Sequence, residues 1–212
     1  MRLRTNHRRL AALEDYVGKE LLTGEIEQYK GKWQEMLGNT PLALEIGCGK
    51  GAFITGMAAL HPEISFLGIE SQKEVCYYAV KKIREQKLPN VKIIFGNAEN
   101  LCAWFAPGEV AKLYLNFSDP WPKTRHAKRR LTYRSFLSQY KNVLVPQGHL
   151  RFKTDNDALF AFSLEEFKAF GLKFVAQTTD LHHSAYDNEV QTEYETRFSK
   201  LGKNINFCEV VF

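Results

Sequence analysis

The stretch Leu42-Ala43-Leu44-Glu45-Ile46-Gly47-Cys48-Gly49-Lys50-Gly51 passes from an apolar run, interrupted only by Glu45, into three glycines spaced two apart. A short apolar run of this kind is the pattern of a strand covered on both faces. Glycines at its carboxyl end allow a tight turn that brings backbone N–H groups against a ligand. An amphipathic stretch follows at about 51–60, so the unit reads as strand, turn and helix.

The same rhythm extends outward. Apolar runs rich in Leu, Ile, Val and Phe recur at 42–46, 65–70, 91–95, 111–117, 148–153, 172–178 and 205–211, giving seven strand candidates. Helical periodicity fills about 51–60, 72–87, 132–144 and 157–170; Val75, Ala79, Val80 and Ile83 form one apolar stripe. Strand–helix–strand units pair in parallel through right-handed crossovers, which predicts an open α/β sheet with helices on both faces. The polar chain between about 178 and 205 breaks the rhythm, so an antiparallel pairing of the last two strands is expected. Residues 1–40 carry two helical patterns and form a basic, helical extension ahead of a single domain over 41–212.

The 212 residues are 44% apolar and 25% charged, enough for one self-sufficient core. Cys48, Cys76, Cys102 and Cys208 lie far apart, which argues against a zinc ribbon, a redox pair or a disulfide framework and favours a reducing cytoplasm. No apolar run approaches a membrane span, and Glu14 and Asp15 spoil a signal-peptide core. Neither 20–50-residue repeats nor low-complexity tracts occur.

The net charge of +5 is segregated. Arg2, Arg4, Arg8 and Arg9 in residues 1–9, with Lys123, Arg125, Lys128, Arg129, Arg130 and Arg134 in 121–134, face no acid in either window; the rest of the chain is net −5. Ordinary charge runs are solvated helix faces, but crowding of this degree without acids reads as a nucleic-acid footprint.

At the glycine turn, Glu45 would repel a pyrophosphate and suit a ligand bearing an amino group, which favours S-adenosylmethionine over a nicotinamide dinucleotide. Glu70 ends the second strand candidate, placed to accept hydrogen bonds from a ribose. Asn97, after the third, suits an adenine edge, or else simply a tight turn.

The motif Asn116-Phe117-Ser118-Asp119-Pro120-Trp121-Pro122-Lys123 follows the fourth strand candidate. Its prolines stiffen a non-helical segment and hold Asp119 at the mouth of the sheet, and Trp121 offers a stacking face. The basic run Arg125, His126, Lys128, Arg129 and Arg130 comes next. An acid and an aromatic at a cofactor crevice, followed by positive charge, describe an enzyme that draws in a polyanion and works on a base.

The glycine turn with its preceding acid resembles the class I methyltransferase fold, Rossmann-like and seven-stranded. The motif 116–123 with its basic run closely resembles the bacterial tRNA (guanine-N7-)-methyltransferase family, and the likeness continues through Phe152-Lys153-Thr154-Asp155-Asn156 and Thr192-Glu193-Tyr194-Glu195. The resemblance implies methyl transfer from S-adenosylmethionine to N7 of a guanosine in the variable loop of tRNA. It also implies cofactor contacts from Glu45, Gly47, Gly49, Gly51, Glu70, Asn97 and Asp119, substrate contacts from Lys123, Asp155, Thr192, Glu193, Tyr194 and Glu195, and RNA contacts along 125–130. Many members carry Asp where this chain has Asn97, a departure that touches the detail of the adenine contact.

Guanine N7 has a lone pair and no proton, so alignment rather than base catalysis is the chemical demand, and Asp119 reads as an orienting acceptor. Lys123 can reach guanine O6 or a phosphate. Asp155 and Asn156 also suit a helix N-cap, and Thr192-x-x-Glu195 a capping box. His182-His183 lacks partners at metal-ligand spacing, so no metal is expected. Two other readings stand beside this one: methylation of an exocyclic base amine, and a non-catalytic RNA-binding module.

Overall fold

The computed structural model describes residues 7–186, 188–199 and 202–212; Arg2 and Arg4 lie outside these. Eight strands form one sheet: β1 (Leu21–Leu22), β2 (Leu42–Ile46), β3 (Ser65–Glu70), β4 (Val91–Phe95), β5 (Val110–Asn116), β6 (Leu144–Thr154), β7 (Lys173–Thr178) and β8 (Asn206–Val211). The order is β1-β4-β3-β2-β5-β6-β8-β7. Strands β1 to β6 pair in parallel, and β8 runs antiparallel to both β6 and β7. The seven expected strands are present, with the antiparallel end where it was expected. The eighth, β1, corrects the count: two residues beside Ile93 and Ile94 are too short to show a period.

The helices are α1 (His7–Leu13), α2 (Trp33–Met36), α3 (Ala52–Leu60), α4 (Lys73–Gln86), α5 (Leu101–Trp104), α6 (Arg134–Val143), α7 (Asp157–Ala169) and α8 (Glu193–Ser199). Alternation along the strands divides the core. Leu42, Leu44 and Ile46 of β2 pack with Trp33, Phe105, Tyr140 and Phe167 on one face. Ala43, with Phe66 and Ile93, packs on the other beneath Leu13, Ile54, Ala79 and Ile83. Every residue of β2 is buried, as a central strand covered on both sides requires.

The chain leaves β2 through α3 to β3 on one side and returns to β5 on the other. This reversal of winding opens a crevice at the carboxyl ends of β2 and β5, where open α/β sheets bind ligands.

Candidate active site

Gly47, Gly49 and Gly51 all take left-handed backbone, with φ of 77, 58 and 82°. They serve different ends. A Cβ on Gly47 or Gly49 would meet no atom within 4 Å, so these two line the crevice, whereas one on Gly51 would lie 2.8 Å from the Ala79 Cβ. Gly51 therefore permits α3 to cross close to α4. Gly51 thus has a packing role beside the cofactor contact expected of it from the sequence.

Glu70, at the end of β3, folds its carboxylate over the turn: Gly49 N–H donates to Oε2 at 3.0 Å and Gln72 N–H to Oε1 at 2.9 Å. Burial raises its pKa above the ordinary carboxylate value. Glu70, Gln72, Asn97, Ser118, Asp119 and Trp121 surround a cavity of about 270 Å³. Asn97 caps the turn at 98–100 by accepting from Glu99 N–H at 3.2 Å, so the tight-turn role is present at the cavity wall.

A second cavity of about 510 Å³ adjoins the first at Gly47 and Phe117. Its floor is Glu45, 2% exposed, whose Oε1 accepts from Asn116 Nδ2 at 2.8 Å. Burial pushes the Glu45 carboxyl up to about 8, opposed by the Asn116 hydrogen bond and the Lys153 charge. Its Oε2 is buried with no hydrogen-bond partner among the described residues. An unmet acceptor in so dry a place is costly unless a ligand completes it, and a cationic amino group fits both its charge and its position.

The loop bearing Asp119 is held under strain. Phe117 and Trp121, neither of them glycine, have φ of 54 and 43°, conformations that persist only where the surroundings impose them. Arg130 imposes one end, its Nε and Nη2 donating to the carbonyls of Pro120 and Trp121, each at 3.1 Å. Its guanidinium also lies 4.2 Å over the Phe162 ring, and Arg129 sits 4.8 Å over Trp121. Arg130 is thus a clamp on the motif, a role its expected place among the RNA contacts did not include. Arg125 and Lys128 point from an exposed 3-10 turn (Thr124–Arg129) with Lys123 just ahead of it, and His126 packs edge-on to Trp121. Asp119 itself is exposed at the rim.

Segment 188–195 closes the other wall. Glu195 N–H donates to Thr192 Oγ1 at 2.9 Å and Thr192 N–H to Glu195 Oε2 at 3.4 Å, the reciprocal capping box. Glu195 is fully buried and also binds Lys153 (3.1 Å), His182 (2.9 Å) and Asn188 (2.8 Å). Burial alone would raise its pKa; the Lys153 charge and these hydrogen bonds outweigh it and hold the carboxyl low. With no surface to offer, Glu195 is placed to support a substrate contact rather than to make one, a correction to its expected role. Glu193 accepts from Ala52 N–H at 3.3 Å and pairs with Lys82, fastening α8 to the start of α3. Tyr194 Oη donates to Asp155 Oδ2 at 3.0 Å, and its ring faces Phe117 and Phe198. Asn156, not Asp155, caps α7. No metal-binding cluster occurs among the described residues, and no helix among them is long and apolar enough to cross a membrane.

Asn116 and Lys153 stand inside the sequence motifs, yet the motifs alone give them no role. The available signal was polarity: each is a polar side chain at a strand position that the alternation reserves for the core.

An open parallel sheet whose strand tips set two acids around a glycine turn defines a class I S-adenosylmethionine-dependent methyltransferase, a transferase with S-adenosylmethionine as its methyl donor. A family profile described as "Putative methyltransferase" matches residues 39–208. Among solved structures, a SAM-dependent methyltransferase from Aquifex aeolicus superposes with a TM-score of 0.57 at 15% identity over 98% of this chain and 99% of that one, a likeness of fold. The tRNA (guanine-N(7)-)-methyltransferase of Limosilactobacillus reuteri is 49% identical over 96% of each chain, and that of Bacillus cytotoxicus 44% identical over 100% of this chain and 97% of its own. The chain belongs to the tRNA (guanine-N(7)-)-methyltransferase family.

Proposed function

We propose that this protein transfers the methyl group of S-adenosylmethionine to N7 of a guanosine in the variable loop of tRNA, in the cytoplasm. The observation that carries this reading is a crevice of two adjoining cavities, with the unmet Glu45 carboxyl at the floor of one and Asp119 and a basic, exposed turn at the rim of the other. The cofactor supplies an electrophilic sulfonium methyl. Glu45 holds its amino group and Glu70 its ribose, while Asn97 borders the adenine. Asp119 orients the guanine and accepts from its N–H groups; N7 carries no proton, so Asp119 removes none. Asp155 and Tyr194, joined by their hydrogen bond, meet the nucleoside with Thr192 and Glu193 from the opposite wall. Lys123, Arg125, His126, Lys128 and Arg129 meet the RNA.

The test is incubation of the purified protein with unmodified tRNA transcripts and labelled S-adenosylmethionine. Borohydride and aniline should then cleave the product at one labelled guanosine in the variable loop. Label in a nucleoside resistant to that cleavage would instead indicate an exocyclic amine as the acceptor, and absence of transfer with retained RNA binding a non-catalytic module.

A further inference from the structure

Asn116 carries a second unmet group that the cofactor contacts described above leave unused. It closes β5, one residue past Leu115, which pairs with Ile46; Glu45 pairs with Tyr114, so Glu45 and Asn116 are diagonal neighbours across the β2–β5 ladder. Both side chains line the larger cavity beside Gly47 and Gly49. Asn116 is 7% exposed.

A cation bound here draws the Glu45 carboxyl into its ionised form, which only accepts hydrogen bonds; the amide's NH₂ then meets it and the amide oxygen turns the other way. The structure has that arrangement: Nδ2 donates to Glu45 Oε1, while Asn116 Oδ1, like Glu45 Oε2, is buried with no hydrogen-bond partner among the described residues. Two buried, unmet oxygens in adjacent side chains, one of them on a carboxyl that can ionise, suit a ligand with at least two donors on one cationic centre. A primary ammonium is that group. Among the described residues the buried Lys153 ammonium, whose charge reaches Glu45, is already engaged by Glu195 and Asn188 and makes no hydrogen bond to either oxygen.

We propose that Asn116 is a cofactor-binding residue: its Oδ1 and Glu45 Oε2 form a two-acceptor seat for the ammonium of the cofactor's amino-acid end, selecting against nucleosides that lack it. The inference rests on the methyl-donor reading of the crevice. Asn116→Leu keeps the branched shape of the side chain while removing both the acceptor and the hydrogen bond that orients Glu45.

Calorimetry with two ligands tests it. S-adenosylhomocysteine carries the amino-acid end; 5′-methylthioadenosine has the same nucleoside thioether without it. Asn116→Leu should weaken S-adenosylhomocysteine binding by about 10- to 100-fold, the range for a hydrogen bond to a charged group, and leave 5′-methylthioadenosine binding within about twofold. Asn116→Ser, which withdraws the acceptor from the seat, carries the same expectation should the leucine variant fail to fold. Unchanged S-adenosylhomocysteine affinity, or equal losses for both ligands, would overturn the proposal. A parent protein that bound neither ligand would overturn the methyl-donor reading beneath it.

Discussion

The Glu45 carboxyl holds its proton up to a pH of about 8 because burial penalises its charge. The unfolded chain gives that proton up near 4.5. Between the two values the native state therefore binds more protons than the unfolded one, and Glu45 makes stability fall as pH rises. Its contribution is fully present below about 4.5 and lost by about 8. Thermal melts of parent and Glu45→Gln across this window should show a shallower decline in the variant. Ligand binding runs the opposite way: an ammonium needs the carboxylate, so S-adenosylhomocysteine should displace a proton and bind up to tenfold more tightly per pH unit as pH approaches 8. Titrations in buffers of different ionisation enthalpy would register the released proton, and its persistence in Glu45→Gln would exclude this carboxyl as its source. The glycines beside it separate by the same reasoning. Gly51→Ala drives a Cβ toward Ala79 at a left-handed backbone position and should destabilise the fold by about 1–3 kcal/mol without a direct loss at the ligand; Gly49→Val meets no neighbour, so beyond the backbone strain of about 1–2 kcal/mol that its own left-handed position imposes it should abolish cofactor binding, as melts and calorimetry on the pair would show. The acid before the glycine turn was legible in the sequence because its chemistry departs from its surroundings. The distinct duties of Gly49 and Gly51 were not, since only the approach of α4 tells them apart.

Among the elements, the turn from 117 to 130 combines two kinds of arginine that a sequence shows alike. Arg130 spends its guanidinium on the Pro120 and Trp121 carbonyls, whereas Arg125 and Lys128 stand exposed on the 3-10 turn. Arg130→Ala should release the strained loop and lower turnover at least tenfold, since Asp119 loses its fixed position, with a smaller effect on the salt dependence of tRNA affinity. Arg125→Ala with Lys128→Ala should do the reverse. Each phosphate that is no longer neutralised flattens the slope of log affinity against log salt by about 0.7–0.9, so the pair should reduce it by roughly 1–2 units and leave S-adenosylhomocysteine binding unchanged. Fluorescence-anisotropy titrations at several salt concentrations check this, and equal slopes would make the exposed run an ordinary solvated surface. Long elements such as α4 and α7 were readable from their period. The short pieces, α5 and β1 in the fold and the 3-10 turn at the site, are too short for any period to register, and the clamp connects residues whose contact exists only once the loop has turned back on itself.

Over the whole molecule, the crevice is finished by a segment far from the glycine turn in sequence. Residues 188–195 are fastened to β6 by Lys153, which donates to Asn188 Oδ1 at 2.8 Å and Glu195 Oε2 at 3.1 Å; to the C-cap of α3 by His61 against Glu189 at 2.8 Å; and to α3 itself by Val190, which occupies the space left by the absent side chain of Gly56. None of these contacts has a local signature, so the expected substrate segment was legible as a motif while its support was not. Lys153 and Glu195 are nearly or fully buried, and burial lowers the lysine's pKa against the pull of its partner. Removing one member of such a pair strands the other's charge and costs about 3–5 kcal/mol, more than the pair itself contributes. Lys153→Met should therefore lower the melting temperature and loosen 188–199, seen as faster amide exchange there than in β2 and β5. Adding Glu195→Gln should restore part of the stability, because the stranded carboxylate is gone, without restoring the wall that Tyr194 and Asp155 build together. The double variant should lose far more tRNA affinity, at least tenfold, than S-adenosylhomocysteine affinity, because only one wall of the cofactor's cavity comes from this segment. If both ligands were bound as in the parent, the segment would be a support of the fold alone and the substrate wall would have to lie elsewhere on the rim.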